Sequence, residues 1–383
     1  MPPKKGKKAG GEADLAPILP SGTVFKNKII RDDVQITKYL TNGGFGRIYE
    51  GKLVGKGTKV CVKVEKKGSS GLFMEQNYFI RFLKKEELDK WSKKEFIGLP
   101  TLICFGVDMA SFDYELRYLV MPLYEESLEA VISKKKNMIL ESFEVKTVLH
   151  CIVNALDYLH NKHVSHGDIK KGNIMLLKKG HLDKVVLIDM GIAHWHTRFI
   201  EEANPKARHN GTLLYTSLDA HEGREGVFRS DLQILAFNVI EWITGELPWK
   251  NMISTPDKVY NMKKEIVADP KTKLGNILNG SGLSFVKCLL ESSKSLKYDG
   301  IPNYSVIRKE LVASFKDGTK RIADKPEVKR ETVIKKSCSS KENGLNVEAE
   351  QSFVPRREKP TTNLFEIYAD IRKNAEKHGR TIT

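Results

Sequence analysis

The sequence predicts an α+β fold in two lobes: a small antiparallel sheet carrying one long helix, followed by a larger, mainly helical part. Two observations carry this reading. β-Branched and alternating runs crowd the first third of the chain, and apolar periodicities of helical spacing take over after Ser127. A β-rich front and an α-rich back indicate segregated layers rather than one doubly wound sheet. The 383 residues, 40% of them hydrophobic, suffice for a sizeable core.

Taken in order, residues 1–20 are rich in Gly, Lys and Pro and are expected to form a flexible basic arm. A first lobe is expected over 21–122, with strands near 35–39, 47–53, 59–64 and 116–121. Between the third and fourth strands, Phe73, Phe79, Ile80 and Phe82 recur at near-helical spacing over 72–85. A second lobe follows over 123–316. Its clearest helix spans 142–160, where Val145, Val148, Leu149, Ile152, Ala155, Leu156 and Leu159 make one apolar stripe. Residues 231–245 are apolar nearly all round, as a buried helix would be. Residues 317–362 turn to Lys, Arg, Glu, Ser and Pro and read as a disordered basic tail. At 363–378, Asn363 with Glu366 resembles a capping box ahead of Leu364, Ile367, Tyr368 and Ile371, either a docking helix or a marginal one without a partner.

Bulk properties exclude several classes. The lysines at 4, 5, 7 and 8 precede no apolar run, which argues against a secretory signal. No apolar run approaches the roughly 20 residues that span a bilayer, so a soluble protein without membrane contact is expected. The five cysteines are scattered and never spaced Cys-x-x-Cys, which argues against a disulfide framework or a zinc site and suits a reducing compartment. A net charge of +16 favours acidic partners such as chromatin, nucleic acid or acidic protein segments.

Chemistry concentrates in four places. Gly43-Gly44-Phe45-Gly46 joins two strand-like runs, as a phosphate-approaching loop or as an ordinary hairpin turn. Lys63 sits inside Val60-Cys61-Val62-Lys63-Val64. If buried it needs an anion, which Glu75 on the following helix would supply, leaving the ammonium aimed at ATP phosphates; alternatively it lies on the exposed face of an edge strand. His166-Gly167-Asp168-Ile169-Lys170-Lys171-Gly172-Asn173 and Ile188-Asp189-Met190-Gly191 complete the set. Two carboxylates and an amide near short apolar strands suit phosphoryl transfer, one carboxylate taking a hydroxyl proton and the other holding magnesium with the amide. The plainer alternative has Asp168 and Asn173 capping turns.

In order and spacing these residues resemble the signature set of eukaryotic protein kinases, from about Phe25 to Phe315. The resemblance implies the bilobal protein-kinase fold, with ATP and Mg²⁺ as cofactors and Ser/Thr-bearing proteins as substrates. It implies that Leu40, Thr41, Asn42, Gly43, Gly44, Phe45, Gly46, Arg47 and Ile48 cover the nucleotide. Lys63 would bind the α/β-phosphates and pair with Glu75, Met121 would stand behind the adenine, and Pro122 to Tyr124 would form the hinge. Asp168 would be the base, Lys170 would steady the γ-phosphate, and Asn173 and Asp189 would hold Mg²⁺. Ser217-Leu218-Asp219-Ala220-His221, Val62-Lys63-Val64-Glu65 and Thr244-Gly245-Glu246-Leu247-Pro248-Trp249 resemble the vaccinia-related kinases of the casein-kinase-one group. That likeness implies a nuclear or chromatin-associated setting, with the cytoplasm also open to it. It further implies that Asp231 braces the catalytic loop and that Thr212 touches Asp168 and Lys170.

Three positions depart from the kinase pattern. Thr41 stands at the first glycine of the phosphate loop, Met190 replaces a Phe, and Gly167 replaces the Arg that reads a phosphorylated activation loop. Without that arginine, activity is expected to need no activating phosphate. Other readings are a pseudokinase scaffold, a small-molecule kinase and a basic nucleic-acid binder. Intact Lys63, Asp168, Asn173 and Asp189 count against the first. The segment Gly211-Thr212-Leu213-Leu214-Tyr215-Thr216-Ser217 counts against the second, and the lack of an RNP, zinc-finger or homeodomain pattern against the third.

Overall fold

The computed structural model describes residues 15–315, apart from Phe45 and the stretches 69–70, 93–95, 110–111 and 279–281. The expected basic tail at 317–362 and the helix at 363–378 lie outside the described residues.

The front of the chain is a six-stranded antiparallel sheet in the order β1-β2-β3-β4-β6-β5. Its strands are β1 (Val24–Phe25), β2 (Val34–Gly43), β3 (Gly46–Leu53), β4 (Lys59–Lys66), β5 (Cys104–Asp108) and β6 (Leu116–Pro122). β1 and β5 carry too few residues of clean alternation to stand out in the sequence; pairing with β2 and β6 recruits them. Val60, Val62 and Val64 pack without exposure against Val34, Ile36, Tyr49 and Tyr118. Two helices follow β4: α1 (Gly71–Phe82) and α2 (Lys85–Ser92). The expected helix at 72–85 thus ends sooner, and a new one starts at Lys85.

The expected basic arm at 1–20 lies outside the described residues as far as residue 14, and the end of it that is described is packed on the sheet. Ala16 and Leu19 are buried in the sheet's core, Leu19 N–H donates to the Tyr49 hydroxyl at 3.1 Å, and the Ala16 carbonyl accepts from Arg47 Nε. The run Leu15-Ala16-Pro17-Ile18-Leu19 is apolar enough to be drawn onto the sheet, and composition averaged over 1–20 hid that.

The back of the chain is helical, with a three-stranded sheet and a two-stranded ribbon among the described residues. Its first elements are β7 (Glu126–Ser127), α3 (Leu128–Ser133), α4 (Ser142–Asn161), β8 (Val164–Ser165), β9 (Ile174–Leu176), β10 (Val185–Leu187) and β11 (His194–Trp195). Then come α5 (Leu218–Glu222), α6 (Phe228–Thr244), α7 (Pro256–Ala268), α8 (Pro270–Leu274), α9 (Leu283–Ser295) and α10 (Tyr304–Ser314). The whole apolar stripe of α4 is buried, and a capping box closes its N-terminus, Glu141 N–H donating to Glu144 at 2.9 Å. α6 is buried on every side. Its polar residues Asp231, Gln233, Asn238 and Glu241 are therefore all inside, and each must find a partner there. For Asp231, Asn238 and Glu241 those partners include groups of the loops around Asp168 and Thr212, while Gln233 binds Leu218 N–H and the Ser293 hydroxyl.

Candidate active site

Lys63 lies on β4 in the middle of the sheet, opposite Ile48 on β3 and Leu119 on β6. It is 4% exposed, so the edge-strand alternative does not hold. Its ammonium donates to Glu75 Oε2 of α1 at 2.5 Å and to Asp189 Oδ1 at 3.2 Å. Burial works against the charge, but the Glu75 and Asp189 carboxylates outweigh it and hold the Lys63 pKa above the usual lysine range. At Asp189 burial likewise opposes charge, and Lys63 beside it, with His166 and Lys170, still brings the carboxyl below its ordinary value. Asp189 has φ 69°, a left-handed backbone that few residues other than Gly adopt; aspartate is among the more tolerant. Met190, next in the chain, is fully buried among Leu72, Phe79, Leu119, Met121 and Leu159, so a flexible thioether side chain fills the place of the aromatic.

The loop between β8 and β9 is held from below. Asp231 of α6 accepts from His166 N–H at 2.7 Å, from Gly167 N–H at 2.8 Å and from His160 Nε2 at 3.0 Å. The other ring nitrogen of His160 meets the Tyr304 hydroxyl at 2.8 Å, and Asn238 of α6 donates to the Ile169 carbonyl at 2.7 Å. Burial alone would raise the Asp231 pKa; its bond to His160 and the backbone donors bring it below the usual carboxylate range.

Above that floor the loop's side chains bind one another. Asp168 Oδ1 accepts from the Thr212 hydroxyl at 2.9 Å, and Oδ2 accepts from Lys170 Nζ at 2.6 Å and Asn173 Nδ2 at 3.0 Å. Asn173 Nδ2 also donates to the Asp168 carbonyl at 2.9 Å. Both amide hydrogens are thus used, which leaves the amide oxygen as the group's ligand atom. The Asn173 carbonyl accepts from Ile188 N–H at 2.8 Å, tying this loop to the residue before Asp189. Asn173 and Asp189 therefore present hard oxygen donors, the chemistry a magnesium ion takes.

The glycine-rich turn is a hairpin with Gly43 opposite Gly46. A Cβ on Gly46 would stand 2.5 Å from the Val64 carbonyl oxygen, whereas at Gly44 it would meet nothing within 4 Å. Leu40 and Thr41 are exposed, and Phe45 lies outside the described residues. Ile48 flanks Gly43 next to the Lys63 side chain. Arg47 departs from the nucleotide-covering expectation. Alternation along β3 sends its guanidinium to the other face, where it binds the Ala16 carbonyl and Asn42 Oδ1. Asn42 Oδ1 also accepts from the Tyr39 hydroxyl at 2.8 Å. Met121 is buried opposite Cys61, and Tyr124 follows it three residues on, where burial raises its pKa.

Beside Asp168 the segment from Thr212 to Asp219 is anchored through residues the sequence did not single out. Glu241 of α6 accepts from the Tyr215 hydroxyl at 2.6 Å and from Lys171 at 3.0 Å. Lys263 of α7, fully buried, donates to the Leu213 and Thr216 carbonyls at 2.8 Å each, against the faces of Phe237 and Trp249. Arg229 grips Asp219 with two bonds, at 2.9 and 2.6 Å. Lys263 sits in the polar run Asn261-Met262-Lys263-Lys264-Glu265, where nothing distinguishes a buried lysine from its solvated neighbour.

Residues 34–298 match the family described as protein kinase domain. The chain is 38% identical over 295 residues to serine/threonine-protein kinase VRK1 of Caenorhabditis elegans, covering 76% of this chain and 47% of that one. It is 33% identical to nucleosomal histone kinase 1 of Drosophila melanogaster, covering 63% of this chain and 41% of that one. Among solved structures, that of vaccinia related kinase 3 superposes with a TM-score of 0.66 at 26% identity, over 78% of this chain and 92% of that one. The chain spans about half the length of the first curated relatives it matches.

Proposed function

The chain belongs to the protein kinase family, in its vaccinia-related branch, and from that premise we propose that it phosphorylates serine and threonine hydroxyls of proteins with Mg-ATP. The observation that carries the reading is the state of the Asp168 carboxylate. A carboxylate offers about four acceptor positions, and Thr212, Lys170 and Asn173 occupy three of them. We assign the position left over to an incoming hydroxyl. Asp168 takes that proton as the oxygen bonds to the γ-phosphorus and the bond to the ADP oxygen breaks. Lys170, beside Asp168, steadies the γ-phosphoryl oxygens, and Lys63, fixed by Glu75, binds the α/β-phosphates. Asn173 and Asp189 would hold Mg²⁺, which when bound would neutralise phosphate charge. Thr212 steers the base and, with the segment after it, forms the platform for an acceptor peptide. The nucleotide is expected between the glycine hairpin and Asp189, with Met121 and Tyr124 at the adenine.

Incubation of the purified chain with γ-labelled ATP and casein or histone should label serine and threonine. Lys63→Met should abolish labelling while the protein stays folded by circular dichroism. Wild-type labelling by that variant would refute the role given to Lys63, and no labelling by the parent chain would favour a scaffold.

For setting, we infer a nuclear protein acting on chromatin-associated substrates. The +16 charge and the similarity to nucleosomal histone kinase 1 of Drosophila melanogaster support this. Exclusion of a tagged full chain from nuclei would overturn it.

A further inference from the structure

Outside the site described above, the described residues contain one group of metal-ligating side chains that converge: His194, His196 and Glu225. Two of them come from the segment just after Asp189-Met190-Gly191, where β11 pairs with β8. Residues two apart on a strand share a face, so His194 and His196 point the same way and Trp195 points oppositely, onto Phe82 and Arg81. Glu225 comes from the loop ahead of α6, its carbonyl fixed by the Tyr298 hydroxyl at 2.8 Å.

The hydrogen bonding of His196 settles which nitrogen is bare. The Ser165 hydroxyl donates its one hydrogen to the Gly226 carbonyl at 2.7 Å, so toward His196 Nε2, at 2.9 Å, it can only accept. Nε2 therefore carries the proton. Nδ1 is left with no hydrogen-bond partner in a side chain that is 3% exposed, and its nearest neighbour of opposite chemistry is Glu225 Oε2 at 3.9 Å. A lone pair facing a carboxylate at that distance satisfies neither group, and a cation between them satisfies both. His194 Nε2 lies 3.2 Å from the other carboxylate oxygen, Glu225 Oε1, and one ligand atom from each of the three residues lies within 4.8 Å of the other two. For metal bonds of about 2.0–2.1 Å a tetrahedral edge is roughly 3.3 Å; the first separation matches it, and the 3.9 Å separation from His196 Nδ1 to Oε2 is longer.

We propose that His194 Nε2, His196 Nδ1 and Glu225 bind a divalent cation of the zinc class. Two imidazoles and one carboxylate with an open fourth position form a known type of zinc set. Two of the three, His194 and Glu225, also line a cavity of about 370 Å³, together with Gly167 and Ile192, that has room for water. Ser165 acts as a positioning residue, since its acceptor oxygen fixes the tautomer that aims Nδ1 at the metal. The cation would clamp the segment after Asp189 to the loop before α6, beside the position where Gly167 stands in place of a phosphate-reading arginine.

The test is calorimetric titration of Zn²⁺ into the chelator-stripped full chain, with excess Mg²⁺ present to cover the Asn173–Asp189 oxygens. One equivalent should bind. Ser165→Ala should weaken binding roughly 10–100-fold, and His194→Ala and Glu225→Gln should weaken it further still. His194 and Glu225 are partly exposed, so both variants should keep the parent's circular dichroism. Saturable binding unchanged in both variants places the metal elsewhere and overturns the proposal, as does no saturable binding of Zn²⁺ at micromolar concentration.

Discussion

The loop from His166 to Asn173 and the glycine hairpin, which the proposed function sets to the same chemistry, are built in opposite ways. The loop from His166 to Asn173 is bonded at its main chain to Asp231 and Asn238, polar residues sunk in the wholly buried helix α6. The hairpin projects from the sheet, and its side-chain ties are Tyr39, Asn42 and Arg47 bonding one another, with an anchor at Ala16. The difference follows from what each has to do. A base must keep its oxygen within a few tenths of an ångström of a proton it has not yet met, so its position is set by buried bonds. A cover over phosphates has to open and close, so it is carried on two strands with few ties to the rest. Between them stands Lys63, one strand away from the hairpin and bonded both to α1 and to Asp189.

If preorganisation of the loop is what matters, the largest effect belongs to its acceptor oxygen. Asp168→Asn should lower kcat by about 10²–10⁴-fold and leave the KM for ATP nearly unchanged, read from steady-state kinetics. Equal losses in both would contradict the base assignment. The next largest effect lies below the loop. Asp231→Ala leaves His160 and two backbone N–H groups without their acceptor and should cost about 3–5 kcal/mol of stability in urea melts. A cost below about 1 kcal/mol would show that the loop is not held from α6 at all. The same residue predicts an acid limb. Burial opposes its charge, but His160 and the loop amides hold its folded pKa below the unfolded value of about 3.9. Its contribution is therefore present above that value and lost as pH falls through the depressed one. Asp231→Asn should flatten the melting temperature measured between about pH 4 and pH 2.

The same contrast explains what could be read from the chain alone. Lys63 and Asp189 stood out because charged groups beside or inside apolar runs demand partners, and Asp168 and Asn173 because of their spacing next to short apolar strands; the structure bonds Lys63 to Asp189 and Asn173 to Asp168. The strands β2, β3, β4 and β6 were legible from alternation, and α4 from its stripe. The second tier was not. Lys263 looks like an ordinary surface charge in sequence, and Glu241, although it lies in the apolar run at 231–245, carries no sign there of which groups it binds; only tertiary packing makes them the hidden anchors of the segment after Thr212. Arg47 misled for a related reason. Its place in the glycine motif says cleft, but strand alternation and the apolar run at Leu15 to Leu19 turn it to the opposite face.

The smallest expected effect is the sharpest test of the hairpin, because it compares two residues two positions apart. Gly46→Ala adds a methyl 2.5 Å from the Val64 carbonyl oxygen, a backbone atom that cannot rotate away. β3 must shift from β4, at about 1–3 kcal/mol, and Lys63 sits next to Val64 on the strand that is pushed. Gly44→Ala adds the same methyl to open space, so thermal melts should place it within about 0.5 kcal/mol of the parent. Its KM for ATP should then report the phosphate approach alone. A rise in KM for Gly44→Ala without loss of stability would mean that the bare tip of the turn is needed for a ligand rather than for the fold. Equal destabilisation by both substitutions would mean that the hairpin is anchored as rigidly as the loop below it, and the distinction between the two regions would fail.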